Sequence, residues 1–205
     1  MPESLAREIL DLTGEHLALV LVSLSIASCL GIPAGIWLSR KEAWRLPLLG
    51  FANVMQTVPS LALFGFLIPI PVLGGIGKRT AIVALVLYAL LPILRNTLTG
   101  ILGVDPAVVE SAVAMGMTAR QRLLRVELPL AARTIFAGVR VAAVTTVGTA
   151  TIAAAIGGGG LGVFIFRGLA SVDTGQILAG AVPAALLALA ADGGLGWIEQ
   201  RLSPA

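Results

Sequence analysis

The chain has 205 residues, 57% of them hydrophobic and 12% charged, and its mean hydropathy is +0.97. Soluble domains carry charge on about a quarter of their residues, so this composition excludes an ordinary soluble fold and places the chain in a membrane. The net charge of +3 and pI near 9.8 read as a topology signal, because no basic patch is interleaved with aromatic residues as a nucleic-acid surface would require. One cysteine, Cys29, excludes an internal disulfide or cysteine metal cluster, and one histidine, His16, leaves little for metal or acid–base chemistry; both read as functionally silent.

Residues 1–16 are polar and net acidic, lack the basic start of a cleaved signal peptide, and read as an extracytoplasmic N-terminal segment. Uncharged runs follow at Leu17–Leu38 (22 residues), Leu46–Gly77 (32), Val141–Phe166 (26) and Thr174–Ala191 (18). A spanning helix needs roughly 20 apolar residues, so four spans are nearly forced. A third, shorter one starts near Thr80 and must carry Arg95 at an interface or inside the bundle. The expected fold is all-α and integral to the membrane, with a transmembrane domain over 17–201. Its five spans lie at about 17–38, 47–69, 80–100, 135–156 and 176–198, and a tail occupies 202–205. Pro69-Ile70-Pro71 and Gly74–Gly77 read as the turn after the second span, and Gly157–Gly162 as a helix break after the fourth.

Arg40, Lys41, Arg45, Arg95, Arg120, Arg122, Arg125, Arg133, Arg140 and Arg201 fall on one side of this arrangement, and Arg7, Lys78, Arg79 and Arg167 on the other. The basic side faces the cytoplasm, which puts the amino terminus outside and the carboxyl terminus in the cytoplasm. Trp37, Trp44 and Trp197 then share the inner interface.

The one substantial polar loop, 105–133, carries local helix signals. Asp105-Pro106 reads as an N-cap with proline in the first turn, and Val109, Ala112, Val113 and Gly116 recur on one face. Gly116 suits a left-handed helix end, Thr118–Gln121 a capping box, and Pro129 a stop for the second helix. The result is a pair of short helices joined by a glycine turn, which a cytoplasmic partner could grip.

Glu110-Ser111-Ala112, three residues, Gly116, nine residues, then Val126-Glu-Leu128-Pro129 resembles the EAA motif of ABC importer permeases, with Ser111 and Val126 as conservative departures. Gln56-Thr-Val-Pro59-Ser-Leu-Ala-Leu, the stretch from Leu87-Tyr88 to Arg95-Asn-Thr, Gly148-Thr-Ala-Thr and Gly158–Gly168 extend the resemblance along nearly the whole chain, to the glycine betaine, carnitine and choline branch. The resemblance implies a type I, MetI-like five-helix permease fold in a bacterial plasma (inner) membrane, with a cytoplasmic coupling helix pair. It also implies a second permease copy, identical or not, a cytoplasmic ATPase on each, and a separate extracytoplasmic substrate-binding protein. Glu110, Ser111, Ala112, Gly116, Val126, Leu128 and Pro129 are then the ATPase-coupling residues.

Two glycine patterns carry no nucleotide chemistry. Gly157–Gly162 fits G-x-G-x-x-G but follows a membrane helix, and Gly74–Thr80 looks like a P-loop but has Val72 for its first glycine and Arg79 where serine or threonine would hold magnesium. The chain is therefore expected to be no enzyme and to need no cofactor, with ATP and magnesium in the partner ATPase. Gln56, Tyr88, Thr145 and Thr149 are possible pathway-lining residues, since polar groups in spans are functional candidates; the threonines read equally as bonded to their own helix. Arg95 reads as an inner anchor or an ion-pair partner of the 105–133 loop.

Three tryptophans at one interface and a single tyrosine cannot build an aromatic cage for a quaternary ammonium, so tight selection falls to the binding protein. Alternatives are a permease for methionine or another small amphiphile, or an ATP-independent carrier. A carrier would show inverted repeats and intramembrane acidic residues, and neither is visible in the sequence.

Overall fold

The computed structural model describes residues 2–70 and 74–201, so Pro71, Val72 and the 202–205 tail lie outside the described residues. Helix α1 runs from Pro2 to Arg40, 39 residues without a break. The polar stretch expected as a separate N-terminal segment is thus the start of this helix. At 1.5 Å per residue α1 is about 58 Å long, well beyond the roughly 30 Å hydrocarbon core of a bilayer. Its last carbonyls are not left bare: Arg45 donates from Nε to the Leu38 oxygen and from a terminal nitrogen to the Ser39 oxygen, both at 3.0 Å.

The stretch expected as one span, 47–69, is two helices, α2 (Arg45–Thr57) and α3 (Ser60–Leu67), bent by 106°. Pro59 causes the break. It has no N–H to donate and drives the preceding Val58 out of helical geometry, to φ −64° and ψ 129°. Tyr88 on the next helix donates its hydroxyl to the Val58 carbonyl, which the break has freed.

Helix α4 (Lys78–Leu102) is the central element and the most deeply buried, packed by α1 on one side and α7 on another. Small residues let these helices approach, as membrane helices without a hydrophobic drive between them require. A β-carbon on Gly138 of α7 would stand 2.7 Å from the Pro92 oxygen of α4, and one on Gly35 of α1 would strike Thr97.

Beyond α4 come α5 (Pro106–Ala114), α6 (Ala119–Arg122), a π turn (Leu123–Glu127) and α7 (Leu128–Ala150). The expectation that Pro129 stops the second short helix is overturned: residues 119–150 form one continuous helix of 32 residues. Pro129 sits at the start of α7, and the π turn before it absorbs the missing donor, the Leu128 N–H reaching back five residues to the Leu123 oxygen. The coupling pair is therefore one free short helix, α5, and the foot of a long one.

A 3-10 turn (Ile152–Ile156) and glycines 157, 159 and 160, all with positive φ, lead into α8 (Gly162–Ser171) and α9 (Thr174–Arg201). Helix α9 packs on α7 and α8 and is held to α7 by Arg140, which forks onto Asp192 at 2.7 and 2.8 Å and reaches Glu199 at 3.3 Å.

The opposite end of the bundle from α5 is closed by ties from α1. Glu15 accepts from Lys78 (2.7 Å) and from the Gly160 N–H (3.2 Å), and Glu8 accepts from Arg167 (2.9 Å). His16, expected to be functionally silent, is completely buried, with Nε2 3.1 Å from the Val147 oxygen. It therefore has a structural role, joining α1 to α7.

Candidate coupling site

Helix α5 is built by its caps. The Asp105 carboxylate accepts from the Ala107 N–H at 2.8 Å, and Pro106 fills the first turn, where an N–H would have no partner. At the other end Gly116 has φ +77°, the Gly116 N–H donates to the Val113 oxygen (2.9 Å), and the Met117 N–H donates to the Ala112 oxygen (3.1 Å). These two bonds form a Schellman motif, which satisfies the last carbonyls and turns the chain sharply. Thr118 and Gln121 then start α6 with a reciprocal capping box. The expected left-handed glycine and both caps are present.

A close approach of two short helices at Gly116 is not. A β-carbon there would meet nothing within 4 Å, so glycine serves the backbone angle and not the packing. Along α5 only Ala112 is buried; Val108, Val113 and, just beyond the helix, Met115 stand exposed beside Glu110 and Ser111. Ser111 donates its hydroxyl back to the Ala107 oxygen at 2.8 Å. Glu110 has no ion-pair or hydrogen-bond partner among the described residues and lines a cavity of about 270 Å³ with Arg40, Pro106, Val109 and Glu127. An unpaired carboxylate among exposed apolar side chains, on a rigidly capped helix, is a surface fit to receive another protein.

Val126, Leu128 and Pro129 lie where the π turn passes into α7, and the residue among them that does the tying is Glu127. Its carboxylate is buried between two guanidinium groups, accepting from Arg122 Nε at 3.0 Å and from Arg40 at the end of α1. The sequence reading did not single out Glu127. Arg95, expected as an inner anchor or as an ion-pair partner of this loop, is exposed and makes no ion pair among the described residues, so it is not the loop's partner; the spanning-helix arginine that the loop takes is Arg40.

The other polar candidates divide. Tyr88 meets the bend just after Gln56, which is half-buried, while Thr57 donates to the Val54 oxygen at 2.8 Å. Thr145 donates to the carbonyls of Val141 (2.9 Å) and Ala142 (3.0 Å), and Thr149 to that of Thr145 (2.9 Å), all within α7. Among the described residues no group of three or more His, Cys, Asp or Glu side chains could hold a metal ion.

Comparison with known proteins agrees along the whole length. Over 198 residues, 97% of this chain and 90% of the relative, the sequence is 44% identical to the choline transport system permease protein OpuBB of Bacillus subtilis (strain 168). It is 41% identical over 194 residues, 94% of this chain and 88% of the other, to the osmoprotectant import permease protein OsmW of Salmonella typhimurium. The fold matches an inward-facing structure of the MetNI methionine ABC transporter with a TM-score of 0.88 and full coverage of both chains, at 24% identity, a likeness of fold alone. Residues 27–204 match the family described as binding-protein-dependent transport system inner membrane component, and the chain belongs to that family, the permease subunits of ABC importers.

Proposed function

We propose that this chain is the permease subunit of an importer for small quaternary-ammonium osmoprotectants such as choline, glycine betaine and carnitine. The observation that carries the substrate class is the 44% identity, spread over 97% of the chain, to a choline permease. A permease subunit is not an enzyme, and the free energy of ATP enters through a partner ATPase gripping α5. Glu110, Ser111 and Gly116 present that grip and the buried Ala112 seats α5 beneath it, while Val126, Leu128 and Pro129 join it to α7. The α5 end faces the cytoplasm, because Arg40, Lys41, Arg45, Arg120, Arg122, Arg125, Arg133 and Arg201 cluster there, against Arg7, Lys78, Arg79 and Arg167 at the other end. A second permease copy, identical or not, completes the pathway, with Gln56, Tyr88, Thr145 and Thr149 as candidates to line it. A separate extracytoplasmic protein captures the substrate, since the chain has no aromatic cage for a quaternary ammonium.

The test is reconstitution of the permease, its ATPase and its binding protein in liposomes. ATP-dependent uptake of labelled choline or glycine betaine is expected. ATP-dependent uptake of methionine, with none of either osmolyte, would reject the substrate class.

A further inference from the structure

We infer that Glu127 is the positioning residue through which the coupling segment moves α1, the Arg40–Glu127–Arg122 cluster holding the end of α1 and the π turn together as one body during transport. The inference rests on the permease reading above.

Three observations carry it. The Glu127 side chain is only 3% exposed, against 21% for Arg122 and 41% for Arg40, so the carboxylate is the enclosed centre of the cluster and the arginines reach inward to it. A buried carboxylate that lost its guanidinium partners would be strongly disfavoured, so the cluster resists being pulled apart. Second, the π turn sets the geometry. Arg122 and Glu127 are five residues apart, the interval that a π turn stacks and an α-helix does not, so this backbone irregularity aims Glu127 at both arginines. Third, α1 is one continuous helix, running through Pro33, and is fastened at both ends. Arg45 caps its last turn next to Arg40, and at the far end Glu15 and Glu8 hold Lys78, Gly160 and Arg167. A displacement of the coupling segment would thus be delivered along an unbroken helix to the loops that close the other end of the bundle.

The experiment uses the assembled transporter with its binding protein in liposomes and reads glycine betaine imported per ATP hydrolysed. Absence of ATP-dependent uptake by the wild type would reject the permease reading before any variant is compared. With uptake present, Glu127→Gln is expected to insert and to retain the ATPase while the ratio falls about tenfold, within the range of ordinary coupling energies. Arg40→Lys leaves the carboxylate paired with Arg122 but removes the guanidinium nitrogen that reaches Glu127 Oε2, and the ratio should fall several-fold; this variant decides the matter if Glu127→Gln does not insert. In a Cys29→Ala background, Arg40→Cys with Glu127→Cys should be uncoupled until a short cleavable thiol cross-linker joins the two positions, which should restore the ratio, and cleavage should abolish it again. A wild-type ratio in Glu127→Gln or Arg40→Lys, or a cross-linked pair that stays uncoupled, would overturn the inference. A residue needed only for folding would not be rescued by a cross-link made after assembly.

Discussion

Gly116 holds φ +77° in open space, so a side chain there costs conformational energy and nothing else within the chain. That cost is about 1–2 kcal/mol for most L-residues and higher for a β-branched one, while asparagine visits the region readily. Gly116→Asn should therefore keep the ATPase and its uptake, and Gly116→Val should insert normally but lose both; ATPase co-purification and uptake at matched membrane levels measure this. Normal uptake by Gly116→Val would remove the turn from the coupling element. Glu110 is exposed and has no partner among the described residues, so Glu110→Ala should shift stability by no more than about 0.5 kcal/mol while weakening ATPase capture. Tyr88→Phe acts on the fold instead. It strips the Val58 carbonyl of its donor at the α2–α3 bend and should cost about 1 kcal/mol, read as a lowered Tm in detergent.

The π turn and Pro129 work as a unit at the scale of the element. Pro129→Ala restores an N–H that can bond four residues back, which lets the turn relax toward an α-helix and rotates Glu127 away from Arg122. The helix should survive by circular dichroism while the transport ratio falls; an unchanged ratio would show that the turn's register does not matter. What the sequence made legible here was local. Asp105, Gly116, Thr118 and Gln121 each act on backbone within five residues, and each does what its type and spacing predict. Pro129 misled because proline is as compatible with a first helical turn as with a stop, and the π turn that decides between them leaves no periodicity of its own. The ties that Glu127 and His16 make to another helix were missed for a different reason: Arg40 and Val147 are 87 and 131 positions away, and neither distance leaves a pattern in composition or spacing.

Across the whole molecule the charge at the two ends predicts a topology that labelling can test. Cysteines at Val172, exposed beyond α8, and at Ala119, at the start of α6, in a Cys29→Ala background should react with an impermeant maleimide from opposite sides, Val172 from outside. Reaction of both from one side would reject the arrangement. The long-range ties also set an order of assembly. Helix α1 precedes every element it is tied to, its ion pairs joining Glu15 to a residue 63 positions later, Arg40 to one 87 later and Glu8 to one 159 later. None of these can close while the ribosome is still on the first span. Helix α1 is thus not fully fastened until Arg167 has been made. A chain that stops before residue 127 leaves in the membrane a helix with unmatched charge at the end where Arg40 lies, so synthesis cut short is distinguishable, chemically, from synthesis completed.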